Sequence, residues 1–206
     1  MRLLALACIA PVVLVTPALA QSAISGGQSG QLSGQQVSDK DKKWLDYAAT
    51  DNQGEIQASL LAEKKAQSLA VKAFVRLMVN DHVQVESRLA ALVNDLGVDV
   101  PNGPGEDNRK KISEMQALHA QQFDQRFMEE QIKDHTDDIR KFSDEAQSTE
   151  NAEVKRFALE TLPILKQHLA LAEAVQNSLG QADKPGAVAS GSQPGAPQAL
   201  GHALSR

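Results

Sequence analysis

The sequence predicts an all-α protein: an antiparallel four-helix bundle with a Pro/Gly-rich crossover loop between helices two and three. Two observations carry this. Apolar residues recur at alternating spacings of three and four through most of residues 41–178, and strict alternation never lasts more than a few residues. Aromatic residues make up only 3% of the chain, which is sparse for a sheet and suits helices built on Ala, Leu and Val.

The chain opens with Arg2, an apolar run from Leu3 to Val15 and the segment Thr16-Pro17-Ala18-Leu19-Ala20. This is the pattern of a secretory signal peptide over residues 1–20. The apolar run is short for a membrane span, and Ala18-x-Ala20 supplies the small residues a signal peptidase requires. Leu6-Ala7-Cys8 loosely resembles a lipobox, but it leaves too few residues upstream for an export signal. Cleavage is therefore expected between Ala20 and Gln21, giving a periplasmic or secreted protein. It would remove Cys8, the single cysteine, and leave no disulfide and no thiolate ligand.

Residues 21–38 are rich in Gly, Ser and Gln, and residues 180–206 in Pro, Gly, Ala and Ser. Neither segment can bury enough apolar surface to offset its ordering entropy, so both are expected to be disordered. One folded domain is expected over 39–179.

Within it, helix one is expected over about 41–66, with Leu45, Ala48, Asn52, Glu55, Ser59 and Ala62 on its seam. Gly54 weakens this helix by roughly 1 kcal/mol relative to Ala, which suggests that a neighbouring helix approaches closely there. Helix two starts at Ser68 as N-cap and ends at Gly97, with Val75, Val79, His82, Glu86, Leu89 and Val93 on its seam. The segment Val98-Asp99-Val100-Pro101-Asn102-Gly103-Pro104-Gly105 forms the crossover. A third helical region spans about 109–147, broken near His119, with Met128, Ile132, His135, Ile139 and Phe142 on one stripe. The fourth helix, capped among Ser148, Thr149 and Asn151, reaches about Ser178 and carries Phe157, Thr161, Ile164, His168 and Leu171 on its seam. Pro163 interrupts it, removing one backbone donor and freeing the Leu159 carbonyl. A weak echo between Val71-Lys72-Ala73-Phe74 and Val154-Lys155-Arg156-Phe157 fits two similar helix pairs.

The formal net charge is −5, and no basic stripe with interleaved aromatics appears, so nucleic acid is not an expected partner. After the leader no stretch reaches transmembrane length. No recognised catalytic motif is present.

What the helices do carry is one metal-capable residue each, about halfway along the apolar stripe: Glu55, His82, His135 and His168. Where neighbouring helices alternate in direction, their midpoints share one level, and these four side chains converge on one interior point. A single histidine on an apolar stripe is more often a hydrogen-bonded core residue. Three at one level each need their nitrogens paired, and a shared metal ion with Glu55 would satisfy them together. Glu86, one turn after His82, is placed to ligate or orient that imidazole, as Asp138 is for His135. The expected metal set is Glu55, His82, Glu86, His135 and His168; His119 and His202 lie elsewhere.

Read together, Gly54-Glu55-Ile56, Val71-Lys72-x-Phe74, Met78-Val79-Asn80-Asp81-His82, Phe123-Asp124, His135 and Leu162-Pro163 through His168-Leu169 resemble the bacterial domain-of-unknown-function 4142 family over about 41–175. The resemblance implies an exported protein, often described as a predicted outer membrane protein, with a ferritin-like four-helix fold. Ferritin-like proteins usually hold two metals through carboxylates and Glu-x-x-His pairs. Here the residues three before His82, His135 and His168 are Val79, Ile132 and Leu165. A single zinc or oxidised copper ion suits this His-rich set at least as well as a di-iron centre, and iron completes the candidate ions.

Three functions are consistent with these residues. The leading one is an exported bundle binding a metal ion, with a role in envelope metal handling or stress tolerance. The second is a structural or interaction bundle whose polar core residues bond one another and whose surface meets an envelope partner. The third is a metal-dependent redox enzyme, whose di-iron form the missing Glu-x-x-His pairs count against. N-terminal sequencing of the exported protein is expected to begin at Gln21; a chain starting at an acylated Cys8 would overturn that assignment.

Overall fold

The computed structural model describes residues 36–182. The expected leader with its expected cleavage point, residues 21–35 of the expected linker and residues 183–206 lie outside them. The described residues contain no strand and five helices: α1 (Asp39–Lys65), α2 (Leu69–Leu96), α3 (Glu106–Gln116), α4 (Ala120–Ser148) and α5 (Ala152–Ala182).

Local chemistry sets most of these boundaries. Ser38 caps α1 in a capping box, its hydroxyl accepting from the Asp41 N–H while the Asp41 carboxylate accepts from the Ser38 N–H. Ser68 caps α2, accepting from Val71. Gly97 ends α2 at φ 62°, a left-handed conformation that costs glycine no Cβ clash. Asn151 caps α5 through its side-chain oxygen, which accepts from the N–H groups of Glu153 and Val154.

The third helical region differs from expectation. It is two helices, α3 starting earlier than Arg109 and α4 following a three-residue break over Ala117, Leu118 and His119. No Gly or Pro marks that break. Its cause is tertiary: α3 lies against α1, and Lys111 reaches α4 to pair with Asp134 at 2.6 Å.

The long helices pack in the cyclic order α1, α2, α5, α4. Between them lie two apolar clusters. One gathers Trp44, Leu45, Val85, Leu89, Phe142, Val154 and Phe157, with Trp44 edge-on to Phe142 at 4.9 Å. The other gathers Ala62, Phe74, Val75, Met78, Phe123, Phe127, Met128 and Ala172. Along each helix the two sets leave a gap, and that gap is filled by buried Asn52, Glu55, His82, Gln131, His135 and His168. A polar layer is thus sandwiched inside an apolar core. Beyond the second cluster, Asp124 of α4 accepts from the backbone N–H groups of Gln67 (3.1 Å) and Ser68 (2.7 Å), tying α4 to the α1–α2 turn.

Gly54 has the packing role its position suggests. A Cβ there would stand 2.3 Å from Asn108 Nδ2 and 2.9 Å from Asn108 Cβ, so α3 itself would have to move. Helix propensity alone makes Gly54→Ala stabilising by about 1 kcal/mol. The contact reverses the sign: urea unfolding is expected to show a loss of about 1–3 kcal/mol, the usual cost of overpacking.

Candidate metal centre

Three of the residues singled out by level and face meet in the polar layer. His82 from α2, His135 from α4 and His168 from α5 each present one ring nitrogen within 4.8 Å of the other two. Ring centroids are 5.3 Å apart for His82–His168 and His135–His168, and 5.8 Å for His82–His135. All three side chains are almost fully buried.

The partners of the outward-facing nitrogens assign the tautomers. His135 Nδ1 lies 2.9 Å from the Gln131 carbonyl oxygen, which can only accept, so this nitrogen carries the proton. His168 Nε2 donates to Asp81 Oδ2 at 3.0 Å. His82 Nδ1 donates to Asn52 Oδ1 at 2.8 Å; the Asn52 amide is oriented because its Nδ2 donates to Glu86 Oε2 (2.7 Å) and to the His82 carbonyl (3.1 Å). The unprotonated nitrogens are then His82 Nε2, His135 Nε2 and His168 Nδ1. Two of these lone pairs face each other across 3.3 Å, and the third, His82 Nε2, is buried with no hydrogen-bond partner. Such an arrangement is costly without an electron-pair acceptor among the nitrogens. Two nitrogens bound to one zinc-sized ion at about 2.0–2.1 Å stand about 3.3–3.6 Å apart in tetrahedral or trigonal geometry. The His135–His168 edge already has that length.

The carboxylates behave differently. Glu55 and Glu86 stand outside the histidine cluster. Glu55 sits at the expected level, but its Oε2 accepts from Gln131 Nε2 at 2.8 Å, so it reaches His135 only through Gln131. Glu86 accepts from Asn52 and from Gln53 Nε2 (3.0 Å), and orients His82 through the Asn52 amide. Asp138 points away from His135's hydrogen bonds, accepting from the Tyr47 hydroxyl and pairing with Asp51.

Electrostatics keep the layer neutral. Burial, followed by repulsion from the other two histidines, pushes the His82 imidazole well below its usual range. Burial brings His135 down to about 3, and lowers His168 against the opposing pull of Asp81. Burial also pushes Glu55 up to about 8, reinforced by the charge on Asp134. At neutral pH the centre therefore holds three neutral imidazoles, the form that binds metal.

Sequence reasoning did not assign Asn52, Asp81 and Gln131 their roles, although each left a signal. Asn52 shares the seam of α1 with Glu55. Gln131 lies one turn before His135, where its carbonyl meets the ring. Asp81 adjoins His82 in sequence, so it points about 100° around the helix, toward α5 rather than into the centre.

In fold, the chain is similar to the crystal structure of a DUF305 fragment from Deinococcus radiodurans: the TM-score is 0.60 at 10% identity, over 70% of this chain and 98% of that one. No curated protein sequence matches the chain. A family described as "Domain of unknown function (DUF4142)" matches residues 26–175, a span that takes in all five helices up to Val175 and every residue of the histidine centre. The chain belongs to the DUF4142 family.

Proposed function

We propose that this protein is an exported, ferritin-like four-helix bundle that binds one transition-metal ion through His82, His135 and His168. Its proposed role is metal handling or stress tolerance in the cell envelope, with the ion drawn from zinc, copper and iron. One observation supports metal binding above the rest: three buried imidazoles converge through unprotonated nitrogens while the opposite nitrogen of each is committed to an acceptor. An outer hydrogen bond to each ligand imidazole is the usual way proteins fix tautomer and ring orientation at a metal. Asp81 bonds a ligand directly; Glu86 and Glu55 act one residue further out, through Asn52 and Gln131. The absence of thiolate and the neutrality of the rings suit a borderline ion that imidazole binds well. A proton shared between His135 and His168 is the competing occupant, and it would leave His82 Nε2 unpaired. Export rests on the leader pattern of residues 1–20.

Calorimetric titration of the metal-stripped protein with zinc and oxidised copper tests this reading. His82→Ala, His135→Ala and His168→Ala are each expected to lower affinity more than about 100-fold, beyond the roughly 10–100-fold that an outer change such as Asp81→Ala costs. His119→Ala should leave affinity unchanged. Equal affinity in wild type and His135→Ala would leave the structural bundle as the better account.

The metal-free protein should also show two opposed pH dependences. Unfolded imidazoles take up protons as pH falls through 6.5, whereas His135 resists until about 3, so its contribution is complete above 6.5 and is lost as pH falls through that window. For Glu55 the folded value is raised from 4.5 to about 8, so its contribution is complete below 4.5 and is lost as pH rises through 8. Urea unfolding across this range is expected to show His135→Leu flattening the acid side and Glu55→Gln the alkaline side.

A further inference from the structure

Beside the centre, α1, α3 and α4 border an open cleft of about 650 Å³ lined by eight carboxylates against five Lys and Arg side chains. A second, much smaller cavity of about 10 Å³ lies deeper and has His82 in its wall. That is the room of one water or one ion. Two residues line both spaces, Asp51 of α1 and Asp138 of α4.

The small cavity offers few free ligand atoms. Its walls are mostly apolar, formed by Ala48, Val85, Phe142, Phe157 and Leu165. Of its polar members, Asn52 is spent on His82 and Glu86, and the Thr161 hydroxyl donates to the Phe157 carbonyl at 2.8 Å. There remain Asp51 and Asp138, two carboxyls hydrogen-bonded to each other and both pushed up by burial, and His82, whose Nε2 is buried and unpartnered. Of the cleft's cations, Lys111 is bound to Asp134 at 2.6 and 2.8 Å, and Lys141, over the Tyr47 ring at 3.8 Å from its centroid, is the one whose charge acts on both carboxyls.

We infer that Asp51 and Asp138 form the passage by which a divalent cation moves between the surface cleft and the histidine centre, acting as transit ligands that hand the ion to His82. This rests on the metal-binding reading above. A cation leaving water needs oxygen ligands at each step of its path, and this carboxylate pair supplies them where the cleft narrows between apolar walls. Acid-lined clefts with low-dielectric walls also concentrate cations and raise association rates by about 10–1,000-fold. The passage carries the ion without being its resting place, because the three imidazoles bind it more tightly than two carboxyls hydrogen-bonded to each other, one of which also accepts from the Tyr47 hydroxyl.

The test is kinetic. Zinc is mixed with the metal-stripped full chain in a stopped-flow instrument, with a chromogenic chelator reporting free zinc, and release is followed by excess chelator. Asp51→Asn, Asp138→Asn and the double variant are compared with wild type and with Asp95→Asn, an exposed position on α2 away from the cleft. The double variant is expected to slow association and release together by about tenfold or more, leaving affinity within about threefold after long equilibration, while Asp95→Asn changes neither rate. If Asp138→Asn does not fold, Asp51→Asn at the half-buried partner carries the comparison. Unchanged rates in variants that bind zinc would overturn the passage and leave the centre standing. Slower association with unchanged or faster release would instead make the carboxylates part of the binding site and overturn it too. A wild-type protein that binds no zinc or copper would remove both proposals.

Discussion

The fold is organised around one requirement: polar groups buried in an apolar core must find partners, and the two ends of an imidazole must find different ones. Asn52, Gln131 and Asp81 each accept a hydrogen bond from one histidine, and by doing so turn the other nitrogens inward. The cost of burying these groups unpaired is of the order of several kcal/mol, a large fraction of the stability of a domain this size. Apolar clusters above and below the layer supply the burial, and the layer fixes how the helices sit against one another. A slip of one turn in α5 would bring Ile164, Leu165, Leu171 or Ala172 to the place of His168 and leave Asp81 without its donor.

Much of this was legible in the chain. Helical period, the cap at Ser68, a cap among Ser148, Thr149 and Asn151 and the stop at Gly97 are local signals, and each marks a boundary in the structure; the capping box at Ser38 extends α1 past the expected start near Asp41. The level argument brought His82, His135 and His168 together because position along a helix and face of a helix are both functions of residue number. It could not separate Glu55 from Asn52, three residues apart on the same face. Which of the two meets a histidine depends on side-chain reach and on what faces it from α4, where Gln131 takes the Glu55 oxygen.

The break before α4 was harder to read for a related reason. Residues 117–119 contain none of the usual helix breakers, and Ala120 opens α4 at φ 49°, a conformation that favours glycine. The chain turns there because α3 is held elsewhere, with Asn108 against Gly54 and Lys111 against Asp134. Gly54 announced a close approach. The identity of the approaching helix is a tertiary fact, and α3, whose only fully buried residue is Met115, shows little apolar stripe of its own.

The hydrogen bonds of the polar layer also divide the molecule in a way the helix count does not. His82 and Asn52 belong to the α1–α2 pair, His135 and His168 to the α4–α5 pair, and the contacts Asp81–His168, Glu55–Gln131 and Asp124 with Gln67 and Ser68 cross between them. Each pair closes through a turn of a few residues, whereas the crossing contacts span 56 to 87 positions. Loop closure makes the short-range pairs the early events of folding and their docking the late one. Neither half holds three convergent imidazoles, and the segment joining them, residues 97–119 with α3, contributes none of the imidazoles' hydrogen-bond partners. The centre is therefore a property of assembly: it exists only once two semi-independent hairpins have met, and any ligand of the three histidines would act as a clasp between them.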